Sequence, residues 1–169
     1  MDWFHRPRWP PDKVRSMDML IKLYALPAAE AGGEAADMLC RKPLAPEHSL
    51  IIEWIASEFS QGWASEAQVA LSNRPISMFV ALRGGHLAGF CCYDASARGF
   101  VGPIGVAPEA RGEGIGAALL RACLRDMRAT GYAYAVAGAV GAPAFFRRIA
   151  GATEIEGSAP GIYRGMLKR

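Results

Sequence analysis

The chain has 169 residues, enough for one domain with a sizeable buried core. It is 51% apolar and 21% charged with a net charge of +3, which excludes wholesale disorder and leaves no broad basic face for nucleic acid. No apolar run reaches the ~18 residues of a membrane span, and no apolar stretch follows the basic N-terminus as a secretion signal requires. Cys40, Cys91, Cys92 and Cys123 have neither zinc-site spacing nor the look of a secreted disulfide framework. The expectation is a cytoplasmic protein with reduced thiols, no metal, no membrane partner and no nucleic acid partner.

Residues 1–17 are rich in Pro, Arg and aromatics without a period, and read as an extended arm ahead of a domain at 18–169. The arm carries Arg6, Arg8, Lys13 and Arg15 and reads as a solvated tail, with Trp3, Phe4 and Trp9 leaving room for docking. "MLIKLYAL" (19–26) predicts a first strand, and the Ala, Gly and Pro of 27–46 predict mostly loop. "PEHSLIIEWIASEFS" has helical spacing, and "GWASEAQVALSN" follows as a second helix with Ser65 as a cap. "SMFVAL" and "HLAGFCCYDA" predict two strands joined at Gly84-Gly85, a two-residue hairpin turn. Cys91 and Cys92 then point to opposite faces.

"GFVGPIGV" predicts a fourth strand, bulged or splayed because Pro103 cannot donate to a ladder. A long helix follows from Gly114 to about Thr130, with Leu119, Leu120, Cys123, Leu124 and Met127 as its apolar stripe. Arg121, Arg125 and Arg128 read as solvent-facing, and Gly131 as the stop. "YAYAVAG" predicts a fifth strand, "APAFFRRIAG" a helix with Pro143 in its first turn, and "TEIE" and "IYRGML" a closing strand pair. The order predicts a mixed α/β (α+β) domain with helices on a mainly antiparallel sheet. The last strand pair offers an edge for a homodimer.

"VAPEARGEGIG" (106–116) lies between the fourth strand and the long helix. A helix start has unpaired N–H groups and the positive end of the dipole, and glycines there let a ligand approach the backbone. The loop is therefore suited to phosphate or pyrophosphate, with Arg111 at its mouth. A dinucleotide site would need an acidic residue about 20 positions on, and "YAYAVAG" has none. A P-loop needs Gly-Lys-Ser/Thr, which is missing. A glycine-rich helix start without a ligand also remains open.

Arg111, Gly114 and Gly116 match the R/Q-x-x-G-x-G/A signature of the GNAT N-acetyltransferase superfamily. "IGVAPEARGEGIGAALL" resembles that family's central segment, and "APAFFRRIAGATEI" resembles its next one. The resemblance runs from about residue 19 to 167. It implies a single-domain fold splayed between its fourth and fifth strands, with helices on both faces.

It implies acetyl-CoA as cosubstrate and a small-molecule or peptide amine as acceptor. Carried over by position, Arg111, Gly112, Glu113, Gly114, Ile115, Gly116 and Ala117 would hold the pyrophosphate. Ile104, Gly105 and Val106 would pair with the pantetheine arm, and an N–H of Ile104 or Val106 would polarise the acetyl carbonyl. Phe146, also carried over as a cofactor contact, stands where the family commonly has a tyrosine acid, and Ala139 where it has an asparagine.

Tyr163, Tyr134 and Tyr93 are possible substitutes for that tyrosine, and Glu53, Glu66 and Asp94 are the candidate bases. Of these, Glu53, Glu66 and Tyr163 are taken as the catalytic candidates. Trp54 and Trp63 could wall an acceptor pocket. A non-catalytic acyl-CoA-binding module is the alternative, since both acid and base are unassigned.

Overall fold

The computed structural model describes residues 16–29 and 37–167. Most of the expected arm, with its basic cluster, lies outside the described residues. Seven strands form one mixed sheet: β1 (Met19–Lys22), β2 (Met38–Arg41), β3 (Met78–Arg83), β4 (His86–Tyr93), β5 (Phe100–Val106), β6 (Tyr134–Ala137) and β7 (Thr153–Glu154). Their order across the sheet is β2-β3-β4-β5-β6-β1-β7. Every pairing is antiparallel except β5 with β6.

Four helices cover the two faces: α1 (His48–Glu58), α2 (Gln61–Ser72), α3 (Ile115–Ala129) and α4 (Pro143–Ala150). The stripe of α3 is buried with Ile149 of α4 and Ile21 of β1 in one core. Ile51, Ile55, Ala67 and Leu71 of α1 and α2 pack with Phe90 in the other. Cys91 belongs to the first core and Cys92 to the second, as strand alternation requires. All four cysteines are free thiols.

Three expectations need correction. Residues 38–41, read as loop, form the edge strand β2, which among the described residues pairs only with β3. The fourth and fifth strands of the sequence reading are therefore β5 and β6. The closing strand pair does not form: β7 is two residues long and joins β1, while 161–163 is a 3-10 turn. Gly161 and Gly165 (φ +58° and +76°) turn the chain out of any extended course there. The strand pair offered as a homodimer edge is thus absent, and the two-residue β7 ends the sheet on that side. Finally, Ser60 rather than Ser65 caps α2, its hydroxyl accepting the Trp63 N–H at 3.1 Å, because the helix begins at Gln61.

The feature that shapes the site lies between β5 and β6. They pair at Phe100–Val136 and Val101–Ala137 and then separate. On the other side of β5 the register slips by one residue, with Cys91 opposite Ile104 but Tyr93 opposite Val101. The extra residue falls at Gly102-Pro103, the bulge that Pro103 predicts. Beyond β6, the Ala139 N–H donates to Asp18 Oδ1 at 2.8 Å and the Val140 N–H to the Met17 carbonyl at 3.1 Å. These bonds draw the chain toward the start of β1 and away from β5.

Asp18 is only 7% exposed, and its own N–H donates to Ser158 Oγ at 2.8 Å. Removing its carboxylate leaves a half-buried backbone N–H without its acceptor. Asp18→Ala is expected to lower the unfolding free energy by about 1.5–3 kcal/mol in urea titrations, with Asp18→Asn recovering much of the loss.

Candidate functional site

At the C-terminal end of β5 the chain makes one 3-10 turn, Pro108–Ala110, before α3 begins. Gly112 and Gly114 both have φ +80°, a conformation that any L side chain would strain. Gly114 is the N-cap, and the first intrahelical bond runs from the Ala118 N–H to the Gly114 carbonyl. The N–H groups of Ile115, Gly116 and Ala117 therefore have no acceptor within the helix and point out of its positive end.

These groups border a cleft of about 350 Å³ between α3, α4 and the end of β5. Val106 and Gly116 line it from one side, Phe145 and Ile149 from the other. Three arginines, Arg111, Arg121 and Arg148, face it as well. Arg121 Nε is buried with no hydrogen-bond partner. Gly114, Ala117 and Arg121 fall at i, i+3 and i+7, on one side of α3. Arg121 thus leaves the solvent-facing group of the sequence reading, while Arg125 and Arg128 are exposed as expected. The spacing from Gly114 was the signal that could have shown this.

Arg111 is folded back, its Nε donating to the Val106 carbonyl at 3.2 Å. Glu113 forms an ion pair with Arg83, away from the arginines of the cleft. Ile115 is buried in the core. On α4, Phe146 is buried in the core as well, whereas Phe145 faces the cleft. Phe145 shares its helix side with Arg148 and Ile149, at i+3 and i+4.

The gap between β5 and β6 opens into this cleft and narrows toward their last pair, Val101 with Ala137. The Ala107 N–H donates to Ala88 on β4, at 2.9 Å. Alternation along the strand then turns the N–H groups of Val106 and Ile104 toward the opposite edge, where β6 has ended. Gly105 faces the other layer. A Cβ there would lie 2.7 Å from Phe59 Cζ and 2.9 Å from Phe90 Cε1, so only glycine lets those rings close on the strand. Trp54 and Trp63 belong to the same aromatic cluster, Trp63 stacking on Phe59 with ring centroids 5.2 Å apart.

The catalytic candidates separate clearly. Glu53 is exposed on α1. The Asp94 carboxylate accepts the Gly99 N–H and the Tyr132 hydroxyl, each at 2.7 Å, and so closes the β4–β5 loop. Tyr93 donates to Asp126 at 2.7 Å, and burial together with that carboxylate pushes its phenol far up. Tyr134 is exposed beside Tyr24, with their hydroxyls 3.2 Å apart.

Glu66 and Tyr163 are brought together. The Ser96 hydroxyl, which the sequence reading did not single out, donates to Glu66 Oε1 at 2.5 Å. Burial, and then the Glu66 charge, push the Tyr163 phenol up to about 12. Burial likewise raises the Cys92 and Cys123 thiols, which disfavours a thiolate nucleophile. Among the described residues no group of His, Cys, Asp or Glu could hold a metal, and no helix is long and apolar enough to cross a membrane.

The fold and the cleft define a mixed α/β domain whose sheet parts beside a glycine-rich, cationic helix start. Residues 48–152 match the sequence profile of the Acetyltransferase (GNAT) family, and the chain belongs to that family. No curated protein matches it in sequence.

Solved structures share the fold. A GCN5-related glucosamine N-acetyltransferase region of a fungal multi-domain GH3 β-N-acetylglucosaminidase superposes with a TM-score of 0.67 at 14% identity, over 83% of this chain and 20% of that one. A GCN5-related N-acetyltransferase from Sphaerobacter thermophilus gives 0.64 at 23% identity, over 82% and 48%. One from Kribbella flavida gives 0.55 at 14% identity, over 82% and 54%. This chain therefore spans about half or less of each of those chains.

The cleft should take a polyphosphate by charge. Inorganic pyrophosphate, titrated calorimetrically, is expected to bind more weakly as salt rises. Arg121→Ala should weaken it by about tenfold or more, the value of one charge-assisted hydrogen bond.

Proposed function

We propose that this chain is an acetyl-CoA-dependent N-acetyltransferase, in which a primary amine attacks the thioester directly. The observation that carries this reading is the cationic, glycine-lined cleft at the start of α3, opening into the gap where β5 and β6 part. The family adds acetyl transfer as the chemistry. The four free cysteines suit work in a reducing, cytoplasmic compartment.

The residues present fit the donor. N–H groups from Gly112 to Ala117 suit a pyrophosphate at the positive end of the helix. The partnerless Arg121 Nε, with Arg148, supplies cationic hydrogen-bond donors beside it. From Val106 back to Val101 the strand covers about 16 Å at ~3.3 Å per residue, a run of backbone suited to the amides of a pantetheine arm. The N–H groups of Ile104 and Val106 face that run and would stabilise charge on the acetyl oxygen. Carbon–nitrogen bond formation then expels the coenzyme A thiolate. Phe146 has no proton to give it, and a thiolate can leave without much help. The acceptor is a small-molecule or peptide amine, and the aromatic cluster with Trp54 and Trp63 lies on the opposite face of β5 from α3.

A second reading, an acyl-CoA-binding module without turnover, is favoured by one observation. Phe146 is buried in the core at the position where the family's acid commonly stands.

Calorimetry with acetyl-CoA tests donor binding. Binding is expected, and Gly114→Trp, which forces a bulky side chain into a left-handed conformation at the cleft, should weaken it by more than about 100-fold. No binding at millimolar ligand, or an unchanged affinity in that variant, overturns the reading. Thiol release with a panel of amines separates transfer from binding alone.

A further inference from the structure

The stretch from Ala110 to Leu124 contains a single acid, Glu113. Its neighbours Gly112 and Gly114 line the cleft together with Arg111, Arg121 and Arg148, and Glu113 does not. A carboxylate turned into that ring would oppose the very anion that the N–H groups and the arginines suit. The loop alone does not prevent this. A Cβ on Gly112 would meet nothing within 4 Å, so there is open space beside the backbone.

Arg83 is what holds the side chain outward. Its Nη2 donates to Glu113 Oε2. Arg83 ends β3 opposite Met38 of β2 and His86 of β4, so its backbone is fixed in two ladders. Its Nε lies 3.6 Å from Asp37 Oδ2, and one guanidinium has donors enough for both carboxylates. The Arg83 and Glu113 side chains are 32% and 39% exposed, and an ion pair that open adds little to folding stability. Its consequence is the place it gives a charge.

We infer that Arg83 is a positioning residue for donor binding, which holds the Glu113 carboxylate out of the phosphate site. The inference rests on the acetyl-CoA reading above. Arg83 is not among the residues that line the cleft, and it acts through Glu113. With Arg83 in place the cleft presents N–H groups and arginines alone. Without it the Glu113 side chain is released beside the open space at Gly112, and its charge meets the pyrophosphate.

The test uses the full chain with Arg83→Ala, Glu113→Gln and the two combined. Affinity is measured by calorimetry with acetyl-CoA and with inorganic pyrophosphate, once circular dichroism shows each variant folded. Arg83→Ala is expected to weaken both ligands by about tenfold, the cost of one carboxylate roughly 6 Å from a doubly charged group in a watery medium. Adding Glu113→Gln should return both affinities to within about twofold of the wild type, a coupling that a loop merely torn from its anchor would not show. Glu113→Gln alone keeps the backbone N–H groups and should bind no more than about twofold tighter.

If Arg83→Ala fails to fold, Arg83→Gln, which keeps the stem and removes the charge, carries the same test. Arg83→Ala binding like the wild type overturns the inference and leaves the donor reading standing. A double variant as weak as Arg83→Ala shows that the loop needs the anchor rather than relief from a charge, and overturns it too. A Glu113→Gln chain that gains as much affinity as Arg83→Ala loses shows that Arg83 attracts the donor itself, which also overturns the positioning role. A wild-type chain that binds neither ligand overturns the donor reading, and the inference falls with it.

Discussion

Two hydrogen bonds at the edge of β6 determine what this sheet can do. Asp18 Oδ1 takes the N–H of Ala139 and the Met17 carbonyl takes that of Val140. Without them the chain beyond Ala137 could continue beside β5 and close the ladder. With them it turns toward β1, and β5 is left with backbone groups facing a gap. Unpartnered backbone groups are costly when buried, so such an edge calls for a ligand or water. The open edge and the cleft at α3 are thus parts of one constraint.

Charge is distributed along the gap in a consistent direction. At its wide end lie Arg111, Arg121, Arg148 and the positive end of α3, and the acidic Glu113 is held away by Arg83. At the vertex, where β5 and β6 part, stands the Tyr163 hydroxyl, whose phenol is raised by burial, by Glu66 and by Asp18. A donor with anionic phosphates at one end and a neutral thioester at the other matches the first pole. An amine, cationic until it loses its proton, matches the second. The aromatic cluster around Gly105 packs against the strand from the α1–α2 side and keeps that layer close to β5.

The glycine-lined helix start and the bulge in β5 were largely legible in the sequence because they are local. Pro103, Arg111, Gly114 and Gly116 all fall between positions 103 and 116, and each has a backbone reason to be where it is. The hairpin at Gly84-Gly85 and the opposite faces of Cys91 and Cys92 follow from equally short-range rules. What failed was long-range or weakly patterned. β2 is a four-residue edge strand with none of its residues fully buried, so its alternation is faint. "IYRGML" has strand-like residues, but Gly161, Gly165 and the turn at Pro160 override them.

The Ser96–Glu66 hydrogen bond joins two segments 30 residues apart, and no spacing rule brings those together. Asp18 gave no signal either, since its partner Ala139 lies 121 residues away.

The most direct measurement is a crystal structure of the protein with acetyl-CoA. The pyrophosphate is predicted on the N–H groups of Gly112 to Ala117 and the pantetheine arm along Ile104–Val106. The acetyl oxygen should then accept from the N–H of Ile104 or Val106. Coenzyme bound elsewhere on the surface, or a gap closed by continued pairing of β5 with the chain after β6, would contradict it.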